Sequence, residues 1–102
     1  MGTIRIANKI ESLAVGADTK VSIPVDGLNE YTAYEISVYV DGSHAAFLIH
    51  PDATGQATGH RIPSGGVATY GPVEVGDMPA VYAESGKATD VVISYASVPE
   101  AP

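Results

Sequence analysis

Hydrophobic and polar positions alternate along most of this chain with a period of two, the spacing of half-buried strands. The clearest case is 33–40, where Tyr34, Ile36, Val38 and Val40 alternate with Glu35, Ser37 and Tyr39. Asp41-Gly42 and an apolar run, His44–His50, follow. Asp-Gly between two such runs predicts a hairpin with a type I′ turn, whose central residues both need positive φ. The segment 90–97 places Val91, Ile93 and Tyr95 on one face and Val92, Ser94 and Ala96 on the other. Being apolar at most positions, it is expected at the centre of its sheet. Pro79–Glu84 precedes it, separated by Ser85-Gly86-Lys87-Ala88-Thr89, which predicts a second hairpin.

The remaining strands are shorter. Residues 20–25 point Val21, Ile23 and Val25 inward, and Pro24 sets this strand near an edge. Thr3–Ala7 and Gly66–Val75 read as strands, the latter interrupted by Gly71-Pro72. Asn8–Val15 offers helical spacing through Ile10, Leu13 and Ala14, but two turns are marginal alone, and a strand is the equal alternative. The pattern is all-β: an antiparallel β-sandwich or small jelly-roll-like barrel of about seven or eight short strands. One domain is expected over 1–98, with 99–102 an extended tail. Residues 51–65 have no clean period. Such long loops are uncommon unless functional, so this one is expected to be mobile alone and ordered by a partner, with Ala, Thr, Gln and Gly before His60-Arg61-Ile62.

Composition narrows the function. The 102 residues include no Cys, which excludes disulfides, thiolate catalysis and Cys-ligated metals. No Trp accompanies the missing Cys, so the immunoglobulin signature is absent. Twelve acids against five scattered bases argue against nucleic-acid binding. The longest apolar run, Ala45–Ile49, is far short of a membrane span, no secretory core follows Met1, and Ile6 breaks a myristoylation pattern at Gly2.

The search for chemistry yields little. Ser64, in Ile62-Pro63-Ser64-Gly65-Gly66, lacks the first Gly of a nucleophile elbow and reads as a turn residue. Gly86-Lys87 lacks the upstream Gly of a phosphate loop. His44 and His50 on one extended strand stand about 20 Å apart, too far to share a metal. A site of His50, Asp52 and His60 is disfavoured because Pro51 turns the chain between the first two, and Glu74 with Asp77 reads as a solvated turn rather than an acid–base pair. No metal or cofactor is expected, and no enzymatic activity. Of the six Tyr, Tyr34 and Tyr95 share faces with aliphatics and are expected in the core. Tyr39 lies on the opposite parity, and Tyr70, before Gly71-Pro72, is expected near a sheet end. Tyr39, His60, Arg61, Ile62 and Tyr70 are the candidate partner-interface residues, since Tyr offers area and a hydroxyl at low entropy cost.

The second half carries a family resemblance. Ile62-Pro63-Ser64-Gly65-Gly66 forms a Gly turn before a strand; Val81-Tyr82-Ala83, Ser85-Gly86-Lys87-Ala88-Thr89 and Val91–Tyr95 follow as strand, loop and final Val-rich strand. This resembles small β-sandwich virion structural proteins of tailed bacteriophages. The resemblance implies a capsid decoration or cement protein, or a head-fibre, neck or tail component. It would be made in the host cytoplasm, form homo-oligomers and bind the major coat protein or other virion proteins. A receptor- or carbohydrate-binding module at a fibre or tail tip is the alternative.

Overall fold

A computed structural model describes residues 8–53 and 59–98. The predicted strand Thr3–Ala7, the middle of the 51–65 segment and the 99–102 tail lie outside the described residues. The described chain forms eight strands: β1 (Lys9–Val15), β2 (Lys20–Ser22), β3 (Tyr34–Val40), β4 (Ala46–Ile49), β5 (His60–Ile62), β6 (Val67–Val73), β7 (Ala80–Ala83) and β8 (Thr89–Ser97). They make two four-stranded antiparallel sheets. Sheet I runs β1-β8-β3-β6 and sheet II runs β2-β7-β4-β5. The fold is the β-sandwich that the alternation predicts.

Nested pairing explains this order. β1 pairs with β8, β2 with β7, β3 with β6 and β4 with β5, as in one long hairpin. Successive pairs fall alternately in sheets I and II, and the whole then rolls so that β8 meets β3 and β7 meets β4. This is the jelly-roll arrangement. It places β8 inside sheet I and the short, Pro24-flanked β2 at an edge, as their sequences predict.

Both predicted hairpins are corrected. β3 and β4 lie in different sheets, as do β7 and β8. Asp41-Gly42 is a crossover between layers, and Gly42 does not have positive φ. The N–H groups of Asp41 and Gly42 donate to Asp90 O at 2.9 and 3.0 Å. A Cβ on Gly42 would lie 2.6 Å from Asp90 N and collide with Thr89, so the glycine answers close approach rather than a turn. Among the described residues, the only hairpin between consecutive strands is β4–β5, joined through the 50–59 connection.

Within the ambiguous segment 8–15, residues Lys9–Val15 form a strand. β1 places Leu13 and Val15 against the core and turns Ile10, Ser12 and Ala14 outward. Pairing with β8 along its full length supplies the tertiary support that two helical turns would lack. The core lies between the sheets, built from Ile36, Val38, Val40, Leu48, Val81, Val91, Ile93 and Tyr95 with their neighbours. Tyr34 and Tyr95 are buried, as expected. Tyr95 donates its hydroxyl to Pro24 O at 2.7 Å, and Tyr34 accepts from Asn29 N at 2.8 Å. Both bonds tie the 23–33 connection onto the sandwich.

The two ends differ. β1–β2, β3–β4, β5–β6 and β7–β8 are joined by four or five residues each, all at one end. Side chains lace that end: Ser64 Oγ donates to Gly42 O (2.6 Å), Thr89 Oγ1 to His44 O (2.6 Å) and Gly86 N to Asp18 Oδ1 (3.2 Å). The opposite end carries the 23–33, 50–59 and 74–79 connections.

Candidate binding surfaces

Register places the predicted residues on three different surfaces. In sheet I, outward residues align across all four strands. One row is Ile10–Ser94–Ser37–Thr69 and the next is Ser12–Val92–Tyr39–Val67. No residue of either row is charged, although the chain has a net charge of −7. Glu35 and Asp90 stand only on the flanking rows. Ile10 is 67% exposed, and Val67 and Tyr39 are also open to solvent. Ser37 and Thr69 hydroxyls lie 3.4 Å apart across the centre.

The outer face of sheet II is built differently. Its central row reads Lys20–Tyr82–Phe47–Arg61, two half-buried aromatics bracketed by cations. Arg61 Nη2 lies 3.9 Å from Glu84. Lys20 Nζ donates to Pro51 O at 2.7 Å, so the turn after β4 is tied across β7 towards β2. On the same face, outward Ile49 is only 2% exposed, its partner Ala80 is buried, and a Cβ on Gly59 would lie 2.6 Å from Ile49 Cγ2. Arg61 therefore belongs to a face already paired and partly roofed.

The third surface is the open end. His60 and Tyr70 have inward parity on edge strands β5 and β6, joined by the 63–66 turn. There they line one hollow of about 620 Å3 with Leu48, His50, Asp52, Asp77 and Pro79. Tyr70 sits mid-strand on the edge of sheet I rather than at a strand end. A neighbouring hollow of about 420 Å3 is lined by Glu30, Tyr31, Glu74 and Val75, and shares Gly76 and Asp77 with the first. Val75–Asp77 form a 3-10 turn between them. Sequence reasoning missed Tyr31, which is 82% exposed; its only signal is a lone aromatic among Asn29, Glu30 and Thr32.

Ile62 leaves the candidate set. It is 2% exposed and packs in the core, because β5 pairs with β4 and turns Ile62 inward opposite Ala46. The same pairing corrects the reading of 51–65 as one unstructured loop, since 60–62 form a strand. His44 and His50 flank β4 rather than lying on it. His50 Nδ1 accepts from Asp52 N at 3.1 Å. Among the described residues, no three His, Asp or Glu side chains converge as a metal-ligand set.

One group is electrostatically distinctive. Burial, and then the negative charge of Glu11, push the Tyr95 phenol well above its ordinary range. Lys9 Nζ lies 5.4 Å from the ring centroid, 3.5 Å from Glu11 and 2.5 Å from Asp26 O. This cluster holds β1, β8 and the 23–33 connection together. No family model, curated protein or solved structure matches the chain.

Proposed function

We propose that this chain is a non-enzymatic structural protein of a tailed-phage virion, a decoration or cement component that docks on the coat lattice through the outer face of sheet I. The observation that carries the reading is the uncharged pair of rows on that face. A protein with net charge −7 repels acidic neighbours, and central rows free of charge remove that repulsion from the middle of the contact. Desolvating serines, a threonine and exposed Ile10, Tyr39 and Val67 costs far less than desolvating carboxylates. The jelly-roll order supports the reading as an architecture used in viral shells, and lectins use it too. The fold therefore does not choose between shell and receptor roles, whereas the uncharged central rows favour protein docking.

Size bears on valency. Four strands about 4.8 Å apart and some 20 Å long give a footprint of roughly 300 Å2, below the roughly 800 Å2 per partner of a stable pair. Attachment through this face alone is weak, and firm binding needs homo-oligomers or repeated sites on the lattice. Quantifying the chain against the major coat protein in purified particles tests the role. Stoichiometry comparable to the coat is expected. A handful of copies per particle would move the chain to a fibre or tail tip, and absence from particles would end the virion reading.

A further inference from the structure

We propose that the paired hollows around Gly76 and Asp77 form a binding site for a neutral saccharide, with the Tyr70 and Tyr31 rings as its stacking surfaces. The proposal is independent of docking through sheet I. Two of the most exposed aromatic rings among the described residues line the two hollows, one in each, on either side of the shared Asp77. A pyranose offers an apolar C–H face and a rim of hydroxyls. It therefore needs an aromatic plate beside planar hydrogen-bonding groups, with an apolar floor. The larger hollow supplies all three: the Tyr70 ring, His50, His60 and Asp77 at the rim, and Leu48 with Pro79 beneath.

Its volume, about 620 Å3, falls within the range of small-molecule sites. A lone ammonium or guanidinium would occupy a small part of it. Two neighbouring hollows that share Gly76 and Asp77, each with its own Tyr, suit two rings of one glycan. Charge refines the class. Among the described residues, the lining of both hollows includes acids and no Lys or Arg, which disfavours phosphates, uronic acids and sialic acids. Carboxylates accept hydrogen bonds from neutral hydroxyls readily, so the acidic rim suits an uncharged sugar.

The test uses the full chain and amide NMR. Glucose, galactose, mannose, N-acetylglucosamine and their disaccharides are titrated, with glucuronic acid and acetyl-arginine amide as charged probes, after a broad glycan-array screen. Saturable shifts at His60, Gly76 and Asp77 are expected with at least one neutral sugar, and none with glucuronic acid. Tyr70→Ala should weaken that binding about tenfold, while Tyr39→Ala on sheet I leaves it unchanged. Unperturbed core amides in both variants establish that they fold. Three results would overturn the proposal: no neutral glycan bound on the array or in solution, a response to acetyl-arginine amide alone, or full binding by the Tyr31→Ala, Tyr70→Ala double variant.

Discussion

The two outer faces of the sandwich obey the same alternation and end in opposite conditions. On sheet I, outward Ile10 stands open beside small polar residues. On sheet II, outward Ile49 is as buried as the core, with Gly59 packed closely against it. Parity therefore reports which side of a sheet a residue faces, and not whether that side is wet. The connections decide the second question. On sheet II, Pro51 is bonded to Lys20 and Gly59 lies close to Ile49, whereas the described chain leaves the central rows of sheet I uncovered. The uncovered, uncharged central rows of sheet I are the ones the proposed docking uses.

The contrast predicts a graded series of effects. Ile49→Ala should cost about 2–5 kcal/mol in denaturant unfolding, as for any buried large-to-small change. An effect below 1 kcal/mol would mean that sheet II is open as sheet I is, and the comparison would collapse. Beneath sheet I, Tyr95→Phe removes the hydroxyl bond to Pro24 O and should cost about 1–2 kcal/mol near neutrality. Its pH dependence has a definite sign. The folded state keeps the Tyr95 proton that the unfolded state releases near pH 10, so this stabilisation is complete below pH 10 and declines above it. The stability gap between wild type and Tyr95→Phe should narrow as pH rises past 10; a constant gap would contradict the assigned cause.

Smaller effects sharpen the picture. Lys20→Ala should lower stability by about 0.5 kcal/mol and speed hydrogen exchange at Ala53, whose amide bonds His50 O in the tethered turn. Unchanged exchange at Ala53 would show that Lys20 does not hold the roof. Ile10→Ala should change stability by no more than about 0.5 kcal/mol. A cost near that of Ile49→Ala would mean that Ile10 is covered in the free protein.

The sequence made strands legible wherever one face was uniformly apolar, as in β3 and β8. It misled at Asp41-Gly42, because a short crossover between layers and a hairpin turn use the same residues. Only the nested pairing of distant strands separates them. β1 was ambiguous because its inward face begins with Lys9 and Glu11, at the open end of the core, so strand parity is blurred and Ile10, Leu13 and Ala14 imitate a helix. Among the site residues, the outward position of Tyr39 followed from alternation alone. The meeting of His60 with Tyr70 did not, since it depends on β5 and β6 forming adjacent edges of different sheets. Ile62 reads as loop in the sequence because a three-residue strand carries too few positions to show a period.

The most direct measurement is the binding of this chain to assembled coat shells that lack it, at low and high salt, for wild type, Tyr39→Glu and Phe47→Ala. A charge in the middle of the uncharged rows should weaken binding at least about tenfold, while Phe47→Ala on sheet II should leave it unchanged. Wild-type binding should change little with salt, because no ion pair is made or broken in those rows. Undiminished binding by folded Tyr39→Glu, or loss of wild-type binding at high salt, would contradict docking through sheet I.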